Sequence, residues 1–145
     1  YFKGFGMHED FFLLGKGNNS AVNVRNFELL KWINANSIRT SHYPYSEEIM
    51  ELADEYGILV IDEVPAVGMN WWEENYGENG ANETTLKLHK ELIGRLWERD
   101  KNHPSVVMLS VANEAATNEA AGEAYFKEVI EHARNIWTLL DIRRK

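Results

Sequence analysis

Apolar residues along this chain follow two alternating rhythms. Short apolar runs at 1–6, 37–40, 58–61 and 106–111 are bounded by turn-forming residues and read as strands. Between them, apolar positions recur every three or four residues, the period of a helix with one buried face. The first such stretch is capped by Asn19 or Ser20 and runs for about 15 residues, with Val24, Phe27, Leu30 and Ile33 or Trp32 inward. The second starts at Ser46, places Glu47 and Glu48 where the helix dipole favours acids, and turns Ile49, Leu52, Ala53 and Tyr56 inward. Gly57 supplies its left-handed cap. The third covers 83–99 with Leu88, Leu92 and Leu96 or Trp97 inward, and the fourth buries Tyr125 or Phe126, Val129, Ala133, Ile136 and Leu140. Residues 11–20 read as a glycine- and asparagine-rich loop. Residues 64–82 form a second, long loop holding Trp71, Trp72 and Tyr76, a length typical of functional lids or disordered stretches.

Strand and helix therefore alternate from end to end. That order demands a parallel sheet with right-handed crossovers, and residues 1–145 are expected to form one α/β domain. The fourth strand, short and β-branched, is expected to be buried on both faces. No glycine fingerprint follows the first strand and no phosphate loop is present, which counts against a nucleotide-binding fold.

Composition narrows the function more than the fold. The net charge is −8 and no basic stripe is present, which argues against nucleic acid and against an anionic membrane surface. No apolar run approaches the roughly 20 residues needed to span a bilayer. There is no cysteine, so no disulfide framework and no thiolate chemistry. A reducing compartment fits, and a cytoplasmic location is the expectation.

The candidate chemistry lies at the strand exits. After the first strand come His8, Glu9 and Asp10; after the second, His42 and Tyr43; after the third, Asp62 and Glu63; after the fourth, Asn113 and Glu114. In a parallel sheet these exits share one edge, where α/β enzymes assemble their sites. Each residue also has a plain structural role open to it. His8 can be a loop histidine, His42 can brace the turn at Pro44, Asp62 can bind a neighbouring exit, and Glu63 can orient another side chain. Asn113 and Glu114 can cap the following helix. Taken together the set suggests acid/base chemistry on a polar, uncharged bond. His8, Glu9, Asp10, His42 and Glu63 offer metal-ligand chemistry as the competitor, but no His-Glu-x-x-His motif is present, so neither a metal nor another cofactor is expected.

The spaced motifs carry a resemblance. Arg39-Thr40-Ser41-His42-Tyr43-Pro44, then Tyr56-Gly57-Ile58-Leu59-Val60-Ile61-Asp62-Glu63, then the stretch 100–114 ending in Asn113-Glu114, resemble the catalytic barrel of glycoside hydrolase family 2. Gly6-Met7-His8-Glu9-Asp10, Gly15-Lys16-Gly17 and Ala35-Asn36-Ser37 extend the match and point to the glucuronidase branch. The resemblance implies a TIM-type (β/α) barrel of which this chain holds about four βα units, a half-barrel. It implies a retaining mechanism on a carbohydrate substrate, a β-D-glucuronide. Glu114 would be the acid/base and Asn113 the contact to the sugar 2-hydroxyl, with His8, Asp10, His42 and Glu63 lining the sugar pocket. The family's nucleophile, a second glutamate further along the barrel, matches no position here, so the chain alone is expected to be inactive; the alternative is a non-catalytic half-barrel that binds carbohydrate or self-associates. Leu14, Leu109 and Ala115 depart from the family's usual Arg, Trp and Pro. A four-stranded half of a barrel has two open edges, and those at residues 1–5 and 106–111 lead to the expectation of a homo-oligomer, or of pairing with a missing C-terminal half-barrel. The sheet face turned away from the helices is expected to expose apolar surface.

Overall fold

A computed structural model of the chain describes residues 1–69 and 81–141. The aromatic loop residues Trp71, Trp72 and Tyr76 lie outside the described residues, as do the tail after Asp141 and the side chain of Leu140. Elements follow in the order β1 (Gly4–Gly6), β2 (Asp10–Phe11), β3 (Gly15–Lys16), α1 (Ser20–Trp32), β4 (Ser37–Arg39), α2 (Glu47–Tyr56), β5 (Leu59–Glu63), α3 (Glu83–Asp100), β6 (Val106–Ser110) and α4 (Ala120–Asp141). The chain divides into two compact units, Tyr1–Glu63 with Asp100–Ser110 and Val64–Arg99 with Val111–Lys145.

The first unit holds a four-stranded parallel sheet in the order β1-β4-β5-β6. Register places Phe5, Ile38 and Val60 in one row across the sheet. Ile38 and Val60 join Phe27 and Leu30 of α1 and Ile49, Met50 and Ala53 of α2 in a single buried cluster. The opposite face carries Gly6, Arg39 and Ile61 in its next row. Met108 of β6 stands in register with Ile61 and is exposed, so this face carries apolar surface beside the charged Arg39. Further exposed apolar surface lies at the flank, where Phe5, Leu29 and Ile33 line an open groove of about 300 Å³ with Met7 and His8.

The helix ends follow from local chemistry. The Asn19 side chain accepts from the Val22 N–H at 3.2 Å and caps α1. Ser46 occupies the cap position of α2, but its hydroxyl makes no cap bond and donates to Asn18 Oδ1 at 3.3 Å. Its N–H is taken by Glu9 Oε1 at 2.9 Å. Gly57 ends α2 with φ +65°, as the left-handed cap requires. Asp54 of α2 accepts from His103 Nδ1–H at 2.6 Å and from the Ser105 N–H at 2.9 Å, tying the helix to the turn that leads into β6.

Some elements depart from the sequence pattern. The expected loop at 11–20 contains a small antiparallel hairpin, β2 with β3, whose tip exposes Phe12, Leu13 and Leu14. Strand β5 runs on through Asp62 and Glu63 instead of closing before them. Strand β6 has no fully buried residue, and Met108 is 45% exposed, because β6 is an edge of this sheet.

The second unit is carried by α3 and α4. Asn82 caps α3, its Oδ1 accepting from the N–H groups of Thr84 and Thr85 at 2.9 and 3.0 Å. The inner stripe of α3 is Leu86, His89, Ile93 and Leu96, and Leu88 is exposed. The helical period holds and Leu96 is inward as expected, but the stripe passes through His89 where the spacing placed Leu88. Helix α4 buries Tyr125, Phe126 and Val129. Trp97 packs on Trp137 with ring centroids 4.4 Å apart. No helix among the described residues is long and apolar enough to cross a membrane.

Candidate active site

In the first unit, β1, β4 and β5 deliver their exits to one edge of the sheet because they run parallel. At the β5 exit, Asp62 and Glu63 point to opposite faces, as strand alternation dictates. Asp62 turns to the helix side and is buried there, accepting from the Thr40 hydroxyl at 3.2 Å. The same hydroxyl accepts the Glu63 N–H at 2.8 Å, so the two strand ends are stitched through one oxygen.

Glu63 turns to the other face, where its side chain is fully buried. One carboxylate oxygen accepts from Arg39 Nε–H, and the other from His42 Nδ1–H at 2.7 Å. Burial pushes the Glu63 carboxyl up, but hydrogen bonds from Arg39, Ser110 and His42 outweigh it and hold the group below the usual carboxylate range. Glu63 is therefore an anion locked by its neighbours. By accepting at Nδ1–H it also fixes the His42 ring, so that in the neutral ring Nε2 is the acceptor.

His8 is exposed and stands edge-on to His42, with centroids 5.6 Å apart. Tyr43 lies beside His8 at 6.2 Å, and Lys16 Nζ sits 4.7 Å from the Tyr43 ring centroid. Asp10 is exposed on the hairpin, in register with Lys16. Tyr45 beneath them donates to the Met7 carbonyl, and burial pushes its own ionisation far up, so it serves as a fixed donor. The Ser41–His42 peptide bond is cis. The structure thus gathers His8, His42, Tyr43 and Glu63 in this unit. Among the described residues no group of three or more His, Asp or Glu is arranged to hold a metal ion.

Asn113 and Glu114 belong to the second unit. Asn113 is clasped by its backbone: its N–H donates to Ala66 O at 2.8 Å and its carbonyl accepts from the Gly68 N–H at 2.9 Å. Glu114 follows at a bend with φ +50°, in the left-handed region where a glutamate is uncommon, and it is exposed. Ala116 closes the far side, its N–H donating to Met69 O at 2.8 Å. The carboxylate is thus carried on a loop whose backbone is tied on both sides.

The sequence pattern did not single out Arg39 or His89. Arg39 was visible as a cation in the last position of an otherwise uncharged strand. His89 was visible at helical spacing from Leu86, Ile93 and Leu96, once the phase of α3 is known.

Comparison with known proteins places these residues in context. A family model described as glycosyl hydrolases family 2, TIM barrel domain, matches residues 1–139. The β-glucuronidase of Paenibacillus borealis is 57% identical over 139 residues, which are 94% of this chain and 23% of that protein. Among solved structures, the β-D-glucuronidase of Dictyoglomus thermophilum superposes with a TM-score of 0.88 at 57% identity, covering 94% of this chain and 24% of that one. The β-glucuronidase of Ruminococcus gnavus, solved with a C6-substituted uronic isofagomine, gives a TM-score of 0.83 at 48% identity, covering 94% and 23%. The chain spans about a quarter of the length of the relatives it matches.

Proposed function

Since the chain belongs to the TIM barrel domain of the family 2 glycosyl hydrolases, we propose that it contributes the acid/base part of a retaining β-D-glucuronide hydrolase. Residues 1–145 are read as part of one catalytic barrel domain. The observation that carries the reading is Glu114: a solvent-facing carboxylate in an unusual backbone conformation, held on a tied loop four residues beyond the end of a barrel strand. Catalytic side chains of such barrels sit in the loops that follow the strands.

A retaining glycosidase uses two carboxyl groups about 5–5.5 Å apart. One attacks the anomeric carbon while the other protonates the departing oxygen and then activates water. Glu114 takes the second role. Glu63 is a poor nucleophile, because both of its oxygens are engaged and its side chain is fully buried. It acts instead by positioning His42. Asn113 meets the sugar 2-hydroxyl, while His8, His42 and Asp10 meet the sugar's other polar groups. The name β-glucuronidase carried by the relatives, and the uronic isofagomine held by the Ruminococcus gnavus enzyme, support a glucuronide as the substrate class. The chain by itself has no residue for the nucleophile and is inactive in this reading.

The test is made in a full-length family enzyme in which this segment replaces its counterpart. Glu114→Gln is expected to abolish hydrolysis of glucuronides with poor leaving groups. Activated aryl glucuronides, which need little protonation, keep far more of their glycosylation rate. Full activity of the variant on an alkyl glucuronide overturns the assignment.

A further inference from the structure

His89 lies in the buried stripe of α3 at 4% exposure, among Leu86, Ile93 and Leu96. A buried imidazole is costly unless both ring nitrogens find partners. Nε2 is 2.8 Å from the Val111 carbonyl oxygen. A carbonyl only accepts, so Nε2 carries the hydrogen and Nδ1 presents its lone pair. Tyr125 of α4, 6% exposed, fills that lone pair, its hydroxyl 3.1 Å from Nδ1. The result is a directed chain: Tyr125 O–H to His89 Nδ1, then His89 Nε2–H to Val111 O. Burial lowers the basicity of His89 and pushes the Tyr125 hydroxyl up to about 12, so both members stay neutral and the direction is fixed.

The far end of this chain is informative. Val111 is the third residue before Glu114, and the backbone between them is clasped to Ala66 and Gly68 through Asn113. Two helices and a loop therefore converge on the short stretch that carries the exposed carboxylate. A buried polar pair placed there fixes the position of the loop along its length, which apolar packing specifies poorly because it has no direction.

Resting on the assignment of Glu114 above, we propose that His89, held in one tautomer by Tyr125, is a positioning residue for the proton donor. Through the Val111 carbonyl it sets where the Glu114 loop stands. Its loss therefore weakens protonation of the leaving group more than it weakens substrate binding.

The experiment uses the full-length enzyme carrying this segment, with His89→Leu, His89→Gln and Tyr125→Phe. A displaced catalytic group costs about 10- to 100-fold in rate. His89→Leu is expected to lose that much in kcat on an alkyl glucuronide, with KM nearly unchanged and a clearly smaller loss on an activated aryl glucuronide. His89→Gln, whose amide can still donate to the Val111 carbonyl, recovers most of the loss, and Tyr125→Phe falls between. Hydrogen exchange supplies an independent readout: the N–H groups of Gly68 and Asn113 lose protection in His89→Leu and keep it in His89→Gln. If His89→Leu does not fold, Tyr125→Phe against His89→Gln carries the same comparison. Equal losses on both substrates, or no rescue by Gln, overturn the proposal. Released exchange in His89→Leu with no leaving-group dependence in Glu114→Gln overturns instead the role of Glu114, and with it the catalytic part of this inference.

Discussion

A carboxylate that is fully buried and still ionised depends on its neighbours, and Glu63 has Arg39, His42 and Ser110 as donors. Replacing it by Gln removes the charge and leaves Arg39 with a weaker acceptor. Breaking a buried pair from one side costs about 3–5 kcal/mol, and the partial exposure of Arg39 puts Glu63→Gln near the low end, about 3 kcal/mol. The shift of urea midpoint measures it, and an unchanged midpoint would show that the pair contributes nothing net. The sign of its pH dependence follows from the lowered carboxyl. Its contribution is fully present above the ordinary value of 4.5 and disappears as pH falls through the lower folded value. The wild-type midpoint should therefore drop over that acid range, and the Gln variant should lose this share of the slope.

At the scale of elements, glycine marks two places with different physics. Gly57 has φ +65° and open space around its α-carbon, so Gly57→Ala meets only the backbone penalty, about 1 kcal/mol. At Gly4 of β1, an added Cβ would lie 2.3 Å from the Ser37 carbonyl oxygen of β4, and the strands would have to part. Gly4→Ala should therefore lower the thermal midpoint more than Gly57→Ala; the reverse order would mean that β1 is held loosely. The sequence made the α/β alternation, the Gly57 cap and the strand-exit candidates legible, because these follow from spacing and single-residue preferences. It did not show the α3 phase, since His89 scores as polar until its partners Tyr125 and Val111 are known. Nor did it show the hairpin, whose two-residue strands are too short to display alternation. The Arg39–Glu63–His42 lock was hidden because it needs the register of neighbouring strands, which no local window contains.

For the whole molecule, the open question set by its sheet is what covers the edges. Strands β1 and β6 are the two edges, and both present exposed apolar side chains, Phe5 at 53% and Met108 at 45%. Exposed sheet edges invite pairing, and exposed apolar surface beside them strengthens the tendency. The isolated 145-residue chain is accordingly expected to associate, most simply as a twofold pair. Light scattering at micromolar concentration checks this: a stable, well-folded monomer that binds no hydrophobic dye would refute it.

The order of strands across the sheet is also the order in which a ribosome would release them: β1, then β4, β5 and β6. Each new strand meets an edge already present, and none must be inserted between two others. The main buried cluster, from Phe27 to Val60, draws its buried residues from a stretch that precedes α3, β6 and α4 in the chain. Packing of this region can therefore proceed in chain order while translation continues, with the apolar faces of α1 and α2 covered before β6 emerges. Glu114 and its tethers emerge only after that foundation has been laid down.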